Sequence, residues 1–218
     1  MSDARVTDIP VADAGESFVD LRNHPELVLD GRLADPRGAY AHVRASVAAR
    51  LLEAQSLLPG GLRLLVVEAY RPPVLQRRYF ADYSAELAQR NPGRPPSWVH
   101  EQASRFVAPL RVAPHVAGAA VDLTLCEPDG TELAMGTDVN ATPEESGGNC
   151  YTAATGIPAG ARSNRELLSK VLTAVGMVNY PTEWWHWSYG DRYWALRTGV
   201  PNALHGQHDA IPNQKDDE

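Results

Sequence analysis

The sequence predicts a single α+β domain with a central, mainly antiparallel sheet flanked by helices, and three observations support this. Strand-length apolar runs and helical apolar patterns do not alternate as repeated βαβ units, the pattern of parallel sheets. A Pro-Asp-Gly turn at residues 128–130 predicts a hairpin, which joins antiparallel strands. The chain is 44% hydrophobic, which is enough for one sizeable core, and its 218 residues are too few for two full catalytic domains.

The first third of the chain predicts a leader, a helix and a strand. Residues 1–34 lack a clear period and predict an extended leader packed on the domain, with a short strand at 27–29. Asp35-Pro36 predicts the start of a helix, since proline suits the first turn. Residues 62–68, rich in Val and Leu, predict a buried strand. The predicted helix carries its apolar face on Val43, Val47, Leu51, Ala54 and Leu58.

The middle of the chain predicts two helices and a second strand. Residues 70–73 (YRPP) form a rigid exit from the first strand, and residues 74–89 return to a helical pattern. Ser97 predicts the cap of another helix that reaches about residue 108. Residues 119–125 alternate like a strand, and the turn after it should fold residues 133–135 back beside it.

The last third predicts a long loop, a helix and two strands. Residues 138–159 are irregular, and loops of this length are usually functional or mobile. A Ser163-x-x-Glu166 capping box predicts a helix that ends at Gly176. Residues 177–180 and 184–189 predict strands. The domain is therefore expected to span residues 1–198, with a loose polar tail over 199–218.

Charge and composition exclude several function classes. The formal net charge is −7, so nucleic acid and anionic membrane surfaces are not expected as partners. The apolar runs are far too short for a membrane span, and the first twenty residues have no apolar signal-peptide region. Cys126 and Cys150 are expected to be separate reduced thiols. These observations predict a cytoplasmic protein.

Two stretches carry residues suited to metal chemistry. Asp122 lies in an apolar strand, where a carboxylate is costly to bury unless it is paired or bound to a metal. His115 precedes that strand, and Glu183-Trp-Trp-His186 adds an acid and a second imidazole. Zinc hydrolases use three such ligands and leave a fourth position for water. The alternatives are an aspartate on a solvated strand face and a core histidine among tryptophans.

Three motifs, in this order and spacing, resemble the VanX-type D-alanyl-D-alanine dipeptidases of the zinc DD-peptidase and hedgehog-like superfamily. They are residues 68–73 (EAYRPP), His115-x6-Asp122 and Glu183-Trp-Trp-His186, and the resemblance runs from about residue 35 to 196. It implies an α+β fold with one Zn²⁺ per chain on a central antiparallel sheet. The resemblance implies that His115, Asp122 and His186 bind the zinc. It also implies that Glu183 is the general base and that Arg71 stabilises the transition state.

The chain departs from this family where substrate is recognised. Ala113 and Val116-Ala117 replace polar residues usually found around the first histidine. Asn140 stands where many members carry an aspartate for the substrate amine, and Asp138 is a nearby substitute. We therefore expect Asn140 and Asp138 to contact the substrate. We expect the same of Tyr79, although its simplest interpretation is a near-core residue of a helix.

The sequence thus predicts a zinc-dependent dipeptidase acting on a small dipeptide, with D-Ala-D-Ala the leading candidate. The first alternative is an amidohydrolase or amide-forming enzyme on the same zinc scaffold that acts on another small metabolite, motivated by Asn140 and Val116-Ala117. The second is a non-catalytic zinc-bearing binding domain, which would need neither Glu183 nor Arg71. The remaining histidines have no partner pattern: 24, 42 and 100 are expected at the surface, and 205 and 208 in the tail.

Overall fold

The computed structural model describes residue 1 and residues 3–209 and confirms an α+β domain. Its main sheet has five strands in the order β2-β4-β5-β7-β6, and β1 pairs with β3 in a small second sheet. All neighbours in the main sheet are antiparallel except β2 and β4, so the sheet is mainly antiparallel as predicted. The strands are β1 (Phe18–Asp20), β2 (Val28–Leu29), β3 (His42–Arg44), β4 (Arg63–Glu68), β5 (Ala120–Cys126), β6 (Val178–Asn179) and β7 (His186–Ser188).

One face of the main sheet is covered by two long helices. Apolar residues of α2 and α6 share a single core with Leu64 and Val66 of β4 and Leu123 of β5. Alternate residues of those strands point to the opposite face, which is where the site lies. The helices are α1 (Ala4–Thr7), α2 (Ala45–Ser56), α3 (Pro73–Arg90), α4 (Pro96–Ala103), α5 (Pro143–Ser146), α6 (Ala159–Ala174) and α7 (Arg192–Thr198).

The predicted start of α2 at Asp35-Pro36 is wrong by about ten residues. The Asp35 carboxylate accepts hydrogen bonds from the backbone of residues 37 and 40 and forms a turn instead. Val43 then pairs with Val19 in the small sheet, so it serves a strand and not the helix. Pairing with a distant segment therefore outweighs a local helical pattern.

Two other predicted helix starts also need correction. Helix α6 begins at Ala159, and Ser163 lies inside it, where its hydroxyl donates to the Ala159 carbonyl at 3.2 Å. Helix α4 begins at Pro96, so Ser97 is not its cap, and it ends at residue 103 instead of 108. In both cases a proline just before or at the first turn starts the helix earlier, by two residues in α4 and five in α6.

The hairpin after β5 is only partly formed. The turn folds back, with a bridge from Cys126 to Glu132, but residues 133–135 do not form a strand. Buried Arg165 of α6 donates instead to the carbonyl of Met135 at 2.7 Å. Leu133 N still donates to the Leu125 carbonyl of β5 at 2.8 Å, so a helix side chain replaces the partner strand only at Met135.

The segment 199–209 is not a loose tail. Ala203 is fully buried and bridges to Val11, and the Tyr70 hydroxyl donates to the His208 carbonyl at 2.7 Å. His205 is buried as well, and so is His42, which was expected at the surface. The rest of the predicted tail, residues 210–218, lies outside the described residues. Cys126 and Cys150 are free, as predicted, and both are buried.

Candidate metal centre

A row of polar side chains crosses three strands of the sheet on the face away from α2 and α6. Glu68 of β4 pairs with Asp122 of β5, and Asp122 pairs with His186 of β7. Directly paired residues point to the same face of a sheet. The backbone alone therefore places two carboxylates and an imidazole side by side.

A β-bulge in β4 brings Glu68 into this row. Val66 pairs with Leu123 of β5. The neighbouring residue of β5, Asp122, pairs with Glu68, so Val67 has no partner in β5 and is an extra residue in β4. In a regular strand of the same sequence, Glu68 is two residues after Val66 and would point to the same face, into the core. The bulge thus reverses the face that Glu68 presents.

His115 reaches the row from a short 3₁₀ turn, His115–Ala117, just before β5. Gly118 closes the turn with a φ of +65°, and a Cβ there would lie 2.3 Å from the Phe18 ring. The His115 Nδ1 lies 2.6 Å from the Ala69 carbonyl, so Nδ1 carries the proton and donates. This leaves the Nε2 lone pair for a cation.

Three donor atoms converge, as the sequence predicts for a metal site. His115 Nε2 lies 3.1 Å from His186 Nδ1 and 3.3 Å from Asp122 Oδ2, and His186 Nδ1 lies 3.0 Å from Asp122 Oδ1. Donors bound to a tetrahedral zinc lie about 3.3 Å apart, given bond lengths of about 2.0–2.1 Å. Both the separations and the N/O donor set therefore fit Zn²⁺.

The protonation of these groups also suits a cation. Burial raises the pKa of Asp122, but the two imidazoles outweigh it and hold that pKa well below its usual range. Burial lowers the pKa of His186, which favours the neutral imidazole. An ionised carboxylate and neutral imidazoles are the forms that bind metal. Within the described residues, His115, Asp122 and His186 form one compact group of potential ligands.

Glu183 lies in the turn before β7, as expected if it shares a site with His186. Its Oε2 lies 3.7 Å from His186 Nδ1, and its buried Oε1 has no hydrogen-bond partner among the residues that the structure describes. Burial, followed by the neighbouring charge of Asp122, raises the pKa of Glu183 well above its usual value. A carboxyl group with a raised pKa and a free oxygen is equipped to exchange protons.

Arg71 lies on the other side of Asp122, buried at the exit from β4. Its Nε donates to Glu68 Oε1 at 3.0 Å, Nη2 pairs with the second oxygen of Glu68, and Nη1 donates to Gln76 Oε1 at 2.9 Å. Nη2 also lies 3.7 Å from Asp122 Oδ2. The Glu68 carboxylate offsets burial and raises the pKa of Arg71 above its already high value.

The potential metal ligands His115, Asp122 and His186 form the floor of a cavity of about 330 Å³. Asn140 and Tyr79 line it, and the Tyr79 ring also stacks on the guanidinium of Arg71 at 4.8 Å. Asp138 does not line this cavity and borders a neighbouring surface depression instead. Gln76 also belongs to the site through its bond to Arg71, and the sequence analysis did not predict it. Its position on α3, five residues after Arg71, was a signal that could have identified it. Other lining residues are Tyr83, Asp82, Glu86, Phe106, Thr142 and Tyr180.

Known proteins match the chain over most of its length. A family model described as Peptidase_M15, D-ala-D-ala dipeptidase, matches residues 28–204. A D-alanyl-D-alanine dipeptidase of Synechocystis sp. is 28% identical over 235 aligned residues, which cover 93% of this chain and 92% of that protein. A D-alanyl-D-alanine dipeptidase of Escherichia coli is 32% identical over 127 residues, which cover 58% of this chain and 54% of that protein.

Two solved structures are more distant. The vancomycin-resistance D,D-pentapeptidase VanY in complex with Zn(II) has a TM-score of 0.46 and 15% identity, covering 91% of this chain and 96% of that one. VanYB in complex with D-alanine-D-alanine has a TM-score of 0.46 and 14% identity, covering 88% and 93%. No helix in the described part of this chain has the length and apolar character to cross a membrane. Because the family model covers most of the sequence, including every motif residue of the site, the chain belongs to the Peptidase_M15 family of D-Ala-D-Ala dipeptidases and is a metallopeptidase.

Proposed function

We propose that this protein is a zinc-dependent dipeptidase whose substrate is D-alanyl-D-alanine. The observation that carries the proposal is the convergence of His115, Asp122 and His186 beside the unpartnered carboxyl of Glu183 on the floor of one cavity. The two relatives named as D-alanyl-D-alanine dipeptidases support the choice of dipeptide. A cytoplasmic location stays a prediction from the sequence.

The proposed metal ligands are His115 Nε2, His186 Nδ1 and one oxygen of Asp122. Zinc bound there would supply Lewis-acid activation of a water molecule and of the scissile carbonyl. The ring of His115 is oriented for this task by its hydrogen bond to the Ala69 carbonyl. We propose one Zn²⁺ per chain.

Glu183 is the proposed general base and then general acid. Its carboxylate accepts a proton from the attacking water and returns it to the leaving amino group, so the same atom acts in both half-steps. The raised pKa of Glu183 makes it a better proton acceptor than an exposed carboxylate. Its open Oε1 is the atom available for this exchange.

Arg71 is the proposed stabiliser of the negative charge that develops on the scissile carbonyl oxygen. Glu68 and Gln76 hold the guanidinium rigidly, so little reorganisation is needed as the charge develops. Asn140 and Tyr79 are the proposed substrate contacts, because both line the cavity. Asp138, which borders a different depression, is not carried further in that role.

A dipeptide panel with metal analysis tests the proposal. Alanyl-alanine in its LL, LD, DL and DD forms is incubated with enzyme of measured zinc content, and free alanine is quantified. We expect cleavage of the DD form, loss of activity on chelation, and recovery with Zn²⁺. The variant Glu183→Gln should retain zinc and lose about 10²-fold or more in turnover. Full activity without zinc, or in Glu183→Gln, would refute the mechanism.

One observation keeps a second function in view. Asn140 places a neutral amide in the cavity wall, where an aspartate would match a substrate ammonium group. An amidohydrolase or amide-forming enzyme on the same scaffold would accept a substrate without that charge. In the panel, zinc binding without cleavage of any dipeptide would favour this alternative.

A further inference from the structure

The position of the Glu183 carboxyl depends on the backbone of its turn. No side chain among the described residues holds it by a hydrogen bond, since Oε1 has no partner and Oε2 is 3.7 Å from the nearest imidazole nitrogen. Within the turn, Glu183 N donates to the Tyr180 carbonyl at 3.0 Å and His186 N donates to the Glu183 carbonyl at 3.2 Å. These bonds shape the turn but do not attach it to its surroundings.

The Asn179 side chain adds contacts to this turn from β6. Its Nδ2 lies 3.0 Å from the carbonyl oxygens of both Glu183 and His186, and 3.4 Å from that of Trp184. One amide group thus contacts the backbone of the proposed base and of a proposed metal ligand. Neither the metal motif nor the Glu-Trp-Trp-His motif contains this residue.

A second side chain sets the orientation of the Asn179 amide. The Thr152 hydroxyl donates to Asn179 Oδ1, which turns Nδ2 toward the three carbonyls. The same segment supports the turn directly, because Thr152 N donates to the Pro181 carbonyl at 3.0 Å and Trp184 N donates to the Cys150 carbonyl at 3.1 Å. The long loop 138–159 is therefore tied through Thr152 to the turn that carries the base.

We propose that Asn179, oriented by Thr152, is a positioning residue that fixes Glu183 relative to the metal ligand His186. This inference rests on the proposed function for its catalytic readout. A displacement of reacting groups by about 1 Å can cost about 10²-fold in rate. Loss of the amide donor should therefore lower turnover without removing a group that touches substrate.

The test replaces Asn179 with aspartate, which has the same shape and no N–H donor. We expect kcat to fall about 10- to 100-fold with KM within about twofold and zinc content unchanged. The Co²⁺-substituted enzyme should show shifted visible absorption bands, because His186 would move as a ligand. Asn164→Asp is the matched control: Asn164 Nδ2 also donates to a backbone carbonyl, Ala134 at 2.9 Å, remote from the metal group.

Thr152 variants keep the proposal testable if Asn179→Asp does not fold. Thr152→Val removes the hydroxyl and should lower kcat, whereas Thr152→Ser should restore most of the loss. The proposal is overturned if kcat and the Co²⁺ spectrum of the folded variants match those of Asn164→Asp. Glu183→Gln in the same assay separates the two ideas: if it stays active, the proposed function fails, and the Co²⁺ spectrum alone decides whether Asn179 positions His186.

Discussion

Removal of the Glu68 charge tests how the site holds Arg71. Glu68 is 2% exposed and Arg71 is 9% exposed, and two hydrogen bonds join them. Breaking a buried ion pair costs about 3–5 kcal/mol because one charge is left without its partner. Asp122, 3.7 Å from Arg71, offers partial compensation, so we expect Glu68→Gln to lower the free energy of unfolding by about 3 kcal/mol.

Urea denaturation of the metal-free protein measures this loss without the contribution of bound zinc. A lower midpoint with an unchanged m-value indicates a true change in stability. The control is Glu86→Gln, since Glu86 also pairs with an arginine, Arg90 at 2.7 Å, but both side chains are more than 40% exposed. Exposed pairs contribute about 0–1 kcal/mol. If Glu68→Gln costs no more than Glu86→Gln, burial does not make the Glu68 pair important and the reasoning fails.

Three further predictions concern the metal and its supports. Chelation of zinc should lower the melting temperature, and re-addition should restore it, because a ligand at about 1,000 times its Kd stabilises the folded state by about 4 kcal/mol. Calorimetry that shows no shift in melting temperature would contradict a metal bound in the folded state. Gly118→Ala should cost about 2 kcal/mol or more and weaken zinc binding, because the new Cβ would meet the Phe18 ring at a positive φ; equal stability and zinc content to wild type would contradict this. Arg165→Met should expose residues 135–151 to proteases, because Arg165 donates to the carbonyls of Met135, Asn149 and Tyr151; limited proteolysis with unchanged cleavage sites and rates would rule this out.

The sequence predicts the site better than it predicts where the elements begin. Period-2 alternation places Asp122 on the face opposite Val121 and Leu123, and the structure confirms that Val121 and Leu123 enter the core while Asp122 meets two histidines. The irregular position expected for Glu183 follows from Pro181 and from the need to share a site with His186. These inferences depend on neighbouring residues only, so they need no knowledge of distant partners.

Other features depend on contacts between distant segments and leave no local pattern. Val43 fits a helical face, yet its partner is Val19 in a strand. The hydrogen bonds of Asn179 to Thr152 and of Arg165 to Met135 join residues 27 and 30 positions apart. A hydrophobic pattern does not encode such bonds, because they satisfy single carbonyls and not a periodic face.

The extra residue in β4 changes how alignments of related sequences should be compared. A one-residue gap at Val67 leaves both Glu68 and Arg71 present as letters, and an identity score hardly changes. In three dimensions the gap removes the bulge, so Glu68 follows Val66 directly, pairs with Asp122 in a regular ladder and keeps the face on which it meets Arg71. A homologue that lacks this single position therefore keeps the Glu68–Arg71 pair without a bulge, whereas a homologue of the same length with a regular strand would lose it.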